Sequence, residues 1–117
     1  MQIEVYEKGK YQLLRLKDDV GLNTDLGELK IAIEAQLSKG VSNIAIAFTQ
    51  KSYLYTKSIA VLISCSELIK DAGGHLAILE ANRDILDILS VIDFDKMIVL
   101  YNSEADMVTG TVSSAPR

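Results

Sequence analysis

An α/β fold built on one mixed sheet is predicted by three observations. Short apolar runs of strand length alternate with amphipathic stretches of helical spacing. Glycines stand just past two of the helical stretches. The first two strand-like runs are separated by only four residues, "EKGK", whereas every later pair is separated by a helix. A four-residue link with glycine suits an antiparallel hairpin, and helical crossovers call for parallel strands joined in the right-handed sense. The predicted order is β-β-α-β-α-β-α-β-α, a mostly parallel sheet with helices packed on it.

The hairpin strands are residues 3–6 ("IEVY") and 11–16 ("YQLLRL"). After the polar bridge "KDDVGLN", Leu26, Leu29, Ile33 and Leu37 mark a helix over 24–39, with Thr24 as its expected N-cap and Gly40 just beyond its end. "NIAIAF", 43–48, is apolar at nearly every position and is expected as a central strand buried on both faces. From Lys57 to Asp71 a broad apolar face includes Ile59, Leu62, Ile63 and Ile69, and Gly73-Gly74 closes it. "HLAIL" reads as a further strand. Asn82 is placed to cap a short helix bearing Ile85, Leu86, Leu89 and Ile92, "MIVLY" (97–101) as the last strand, and Ser103 as the start of a final helix. One domain over 1–109 is expected, with a flexible tail over 110–117.

Bulk composition narrows the function. In 117 residues, 49% are hydrophobic and 24% charged, with one proline, which describes a chain able to bury a core. Twelve Lys and Arg against sixteen Asp and Glu give a net charge of −4, and the cations are scattered, so no nucleic-acid partner is expected. One cysteine and one histidine supply neither a disulfide nor a metal site, and no cofactor is expected. Without a signal-like leader or a membrane-length apolar run, the expected compartment is the cytoplasm.

Catalytic motifs are missing: there is no phosphate-binding G-x-x-x-x-G-K-[ST] loop, no G-x-G-x-x-G and no G-x-S-x-G elbow. Cys65 with His75 as base is weighed against a packed core cysteine beside a turn histidine, and the second is preferred because Cys65 falls on an apolar helix face. Asp18-Asp19 resemble the acidic pair of a response-regulator receiver, but "NIAIAFTQK" offers no aspartate to accept a phosphoryl group. They are read as loop carboxylates in water. The stretch "YLYTKS", 53–58, is different. A hydroxyl suits a helix N-terminus, as cap or as phosphorylated side chain, yet a lysine in the first turn opposes the helix dipole. Two readings stand: Thr56 or Ser58 capping with Lys57 in solvent, or a recognition surface in which Tyr53, Tyr55 and Lys57 meet a protein partner.

The run "NIAIAFTQKSYLYTKSIAVLISCSELIKDAGGHLAIL", with the element order, resembles the STAS domain, the family of bacterial anti-sigma factor antagonists and of sulfate-transporter tails. The family's central strand ends in Asp, and an apolar-x-Asp-Ser-Ser-Gly stretch opens the following helix. Set on that pattern, Ala47 takes the place of the strand-end acid and Tyr53-Leu54 match the apolar pair. Tyr55 stands where the family has Asp and Thr56 on the first serine, while Lys57 falls on the serine that is phosphorylated and Ser58 on the glycine. The resemblance implies a non-enzymatic regulator of transcription that binds an anti-sigma factor of serine-kinase type through 53–58, with the acceptor replaced by Lys57. A switch shifted to Thr56 or Ser58 is carried beside it. The alternatives are a STAS scaffold or accessory subunit of a lipid-trafficking transporter or stressosome-like assembly, a homodimer in either role, and a small enzyme using Cys65 or the acidic loops.

Overall fold

The computed structural model of the chain describes residues 1–112. Strands β1 (Ile3–Lys8) and β2 (Tyr11–Leu16) form the antiparallel hairpin, with Gly9 at φ +61° in its turn. Helix α1 (Gly27–Ser38), β3 (Asn43–Ala47), α2 (Thr56–Asp71), β4 (His75–Leu79), α3 (Arg83–Val91), β5 (Val99–Tyr101) and α4 (Glu104–Thr109) follow, with a 3₁₀ turn at Phe94–Lys96. The sheet order is β1-β2-β3-β4-β5, parallel from β2 onward. The predicted mixed α/β sheet is therefore the fold.

Strand order that follows chain order has a physical consequence. Successive crossovers of one hand all land on one face of the sheet. Leu29 and Ile33 of α1, Leu62, Cys65 and Ile69 of α2, and Ile85 and Leu89 of α3 pack there in a single core with Leu14, Leu16, Ile44, Ile46, Leu76, Ile78 and Leu100. The opposite face carries Leu13, Ala45, Ala47, Ala77, Leu79 and Tyr101, and α4 packs against it through Met107. Three helices cover one side and one short helix the other. Both faces of β3 are buried, as its unbroken apolar sequence predicts.

Two expected boundaries move. Thr24 does not cap α1: its Oγ1 accepts from the Gly21 N–H at 2.8 Å and its own N–H donates to the Gly21 carbonyl, so the hydroxyl closes a turn and the helix starts at Gly27. The last strand is shorter than 97–101 because Asp93, at φ +59°, starts the 3₁₀ turn, and the Met97 N–H bonds the Phe94 carbonyl instead of a neighbouring strand. Gly73-Gly74 end α2 as expected, for two reasons. Gly73 lies at φ +80°, and a Cβ on Gly74 would sit 1.7 Å from the Ser42 carbonyl oxygen. Gly110 (φ +81°) lets the Thr111 N–H reach back to the Asp106 carbonyl; of the expected tail, 113–117 lie outside the described residues.

Candidate functional site

The loop from β3 to α2 is pinned at both ends by buried apolar side chains, Phe48 and Leu54. Between them its polar groups are satisfied by two other segments and by the loop itself. From the β2–α1 loop, the Val20 N–H donates to Ser52 Oγ at 2.9 Å, the Val20 carbonyl accepts from the Tyr53 N–H at 2.8 Å, and Asp19 Oδ1 accepts from Thr49 Oγ1 at 2.6 Å. From the segment after β4, Asn82 Nδ2 donates to the Gln50 and Ser52 carbonyls at 2.9 and 2.6 Å, while Gln50 Nε2 donates to the Glu80 carbonyl at 3.0 Å. Within the loop, Thr49 Oγ1 and Ser52 Oγ lie 2.7 Å apart. A segment without regular structure is thereby fixed in one conformation.

This scaffold delivers Tyr55, Thr56 and Lys57 to the surface at the first turn of α2. Tyr53 is half-buried and meets Tyr55 edge to face, with ring centroids 5.0 Å apart and planes at 78°. Ser58, grouped with these residues in the sequence, is turned inward and only 2% exposed. Neither expected hydroxyl caps the helix: the N-cap position is Tyr55, in extended backbone, with no side-chain bond. No acid stands in the first turn and Lys57 does, an arrangement that forgoes dipole stabilisation of about 0.3–1 kcal/mol. Beside Lys57 runs a groove of 290 Å³ lined by Leu22, Asn23, Thr24, Asp25, Leu26 and Val61. Leu22 on its rim is 69% exposed. The sequence gives no local sign that this loop neighbours α2.

On the opposite sheet face Arg15 is the centre of a charged network. Its guanidinium bonds both Glu80 carboxylate oxygens, at 2.8 and 3.2 Å, reaches Glu104 at 2.5 Å, and donates from Nε to Tyr6 Oη at 3.2 Å. Tyr6 Oη donates to Glu104, and Lys8 stands 3.7 Å from the same carboxylate. The bond from Tyr6, with those from Arg15, holds the Glu104 carboxyl below its usual range; burial, then the bond to Glu104, raises the Tyr6 hydroxyl. The fork to Glu80, with the bonds to Tyr6 and Glu104, raises Arg15 despite its burial. Glu80 has left-handed backbone, φ +56°, which costs a residue with a side chain roughly 1–2 kcal/mol.

The other expected site residues are placed as follows. Asp18 and Asp19 are exposed but engaged, Asp18 Oδ2 accepting from the Gln2 N–H and Asp19 from Thr49. Cys65 is buried on the core side of α2, and burial pushes its thiol up to about 11. His75 is exposed at the start of β4. Among the described residues, no group of three or more His, Cys, Asp or Glu could hold a metal ion, and no helix is long and apolar enough to cross a membrane.

Known proteins place this architecture. The family model for the STAS domain matches residues 7–107. The structure of a candidate anti-sigma factor antagonist from Thermotoga maritima superposes with a TM-score of 0.80 over 92% of each chain at 15% identity. An anti-sigma-factor antagonist (STAS) domain protein from Planctomyces limnophilus does so with a TM-score of 0.75, over 92% of this chain and 96% of that one, at 13% identity. No curated protein matches the sequence. With the family model spanning β2 to β5 and the loop that opens α2, the chain belongs to the STAS domain family.

Proposed function

We propose that this protein is a non-enzymatic regulator that acts as an anti-sigma factor antagonist, binding an anti-sigma factor of serine-kinase type through Tyr53, Tyr55, Thr56 and Lys57. The observation that carries the reading is the exposed, uncapped start of α2 on a loop whose backbone is fixed by Val20, Ser52 and Asn82. A rigid loop presents side chains without the ordering cost that a flexible one incurs on binding. Aromatic residues beside a cation that lines a groove with exposed Leu22 on its rim suit a protein partner. Lys57 holds a cation where the family's switch would install about two negative charges, so binding here is constitutive at that position. Of the two hydroxyls proposed for modification, Thr56 is exposed and Ser58 buried, which favours Thr56 as the site of any relocated switch.

The replaced acceptor also supports a second reading, a STAS scaffold or accessory subunit in a transporter or stressosome-like assembly, where no switch is required. Capture of anti-sigma factor kinases from the same genome separates the two. Wild-type protein is expected to retain such a kinase, and Lys57→Glu to weaken retention without lowering the melting temperature. Equal retention by both forms, or no kinase partner at all, overturns the antagonist reading. Intact mass with and without phosphatase then reports whether Thr56 carries phosphate.

A further inference from the structure

We propose that Arg15 and Glu80 are positioning residues for the recognition loop, acting from the far face of the sheet through the left-handed backbone of Glu80. The proposal deepens the partner-binding reading above and rests on it for its purpose.

The geometry is continuous. Arg15 pairs in register with Ala47, and Ala47 with Leu79, so these three residues lie in a row across the sheet. The Arg15 side chain must pass over β3 at Ala47 to reach Glu80, and the alanine methyl leaves room for it. Beyond Leu79 the chain turns sharply at Glu80. The φ of +56° sends its carboxylate back to the Arg15 fork, while its carbonyl accepts from Gln50 Nε2 in the recognition loop. Two residues later Asn82 grips the same loop at the Gln50 and Ser52 carbonyls. A non-glycine residue holds a left-handed conformation only where its surroundings over-determine it, and here the bidentate fork does so. Loss of the fork leaves Glu80 free to relax, and its carbonyl then leaves Gln50.

Hydrogen exchange of the free protein tests this. In Arg15→Gln and Glu80→Gln the amides of Ser52 and Tyr53 are expected to exchange about tenfold faster, while those of Ile44, Ile46 and Ile78 change less than about twofold. Glu80→Gly, which removes the backbone strain together with the carboxylate, is expected to loosen the same loop amides less than Glu80→Gln does and without lowering the melting temperature. Unchanged loop exchange in all three variants, or equal acceleration in loop and core, overturns the proposal. No partner is present in this experiment, so it stands or falls separately from kinase capture by Lys57→Glu.

Discussion

Helices α2 and α3 begin from nearly the same backbone and end up with opposite chemistry. Tyr55 at φ −95°, ψ 173° and Asn82 at φ −71°, ψ 172° are both extended N-cap residues. Asn82 accepts from the Ile85 N–H at 2.9 Å and Asp84 follows in the first turn, so orphan donors and dipole are both served. Tyr55 supplies no acceptor, and Lys57 follows. Because the backbone is shared, the difference lies wholly in side chains. One helix start is arranged for stability and the other forgoes it, at a sacrifice on the order of 1–2 kcal/mol.

The largest expected effect is at the capped start. Asn82→Ala removes the cap and both of its bonds to the β3–α2 loop, and is expected to lower stability in urea by about 2 kcal/mol. A loss below about 0.5 kcal/mol would erase the contrast between the two starts. The complementary change supplies α2 with what it lacks. Tyr55→Asp is expected to be more stable than Tyr55→Ala by about 1 kcal/mol; both lose the ring contact with Tyr53, so the difference isolates the cap. Smaller again, Lys57→Glu is expected to raise stability by about 0.3–1 kcal/mol at low salt, shrinking toward zero near 1 M salt. No salt dependence would place Lys57 outside the dipole's reach.

The finest test uses α4, a third start, where Ser103 Oγ accepts from the Asp106 N–H and Glu104 follows in the first turn. Glu104 is held below its ordinary carboxylate value by Tyr6 and Arg15. Its contribution is therefore fully present above the unfolded value, about 4.3, and is lost as pH falls through the lower folded value. Melting temperatures followed from pH 6 downward are expected to fall less steeply below about pH 4 in Glu104→Gln than in the wild type. Parallel curves would mean that the network around Arg15 does not tie α4 to the sheet.

What could be read from the sequence was local or periodic. The apolar run of β3, the Asn82 cap and the Gly73-Gly74 close of α2 each announce themselves within a few residues, because period, cap and φ are local properties. Thr24 misled because a hydroxyl before an apolar helical pattern looks the same whether it caps the helix or closes the turn ahead of it. At the site, nothing local separates exposed Thr56 and Lys57 from Ser58 in the same first turn, whose inward turn depends on which helix face meets the sheet. The fork from Arg15 to Glu80 spans 65 positions and the bond from Thr49 to Asp19 spans 30. No periodicity links such residues; only the parallel register of β2, β3 and β4 brings them together.

The register that sets Arg15 over Ala47 also decides how two positions tolerate a new side chain. Lys57 is exposed, so a serine there would disturb no packing. Ala47 is wholly buried, and an aspartate in its place would lie beneath a guanidinium already committed to Glu80 and Glu104. A new buried acid would compete for Arg15 and release one of its present partners. The helix position is an open door and the strand position a ratchet, so a new charge at the end of β3 has to be preceded by change among the residues around Arg15.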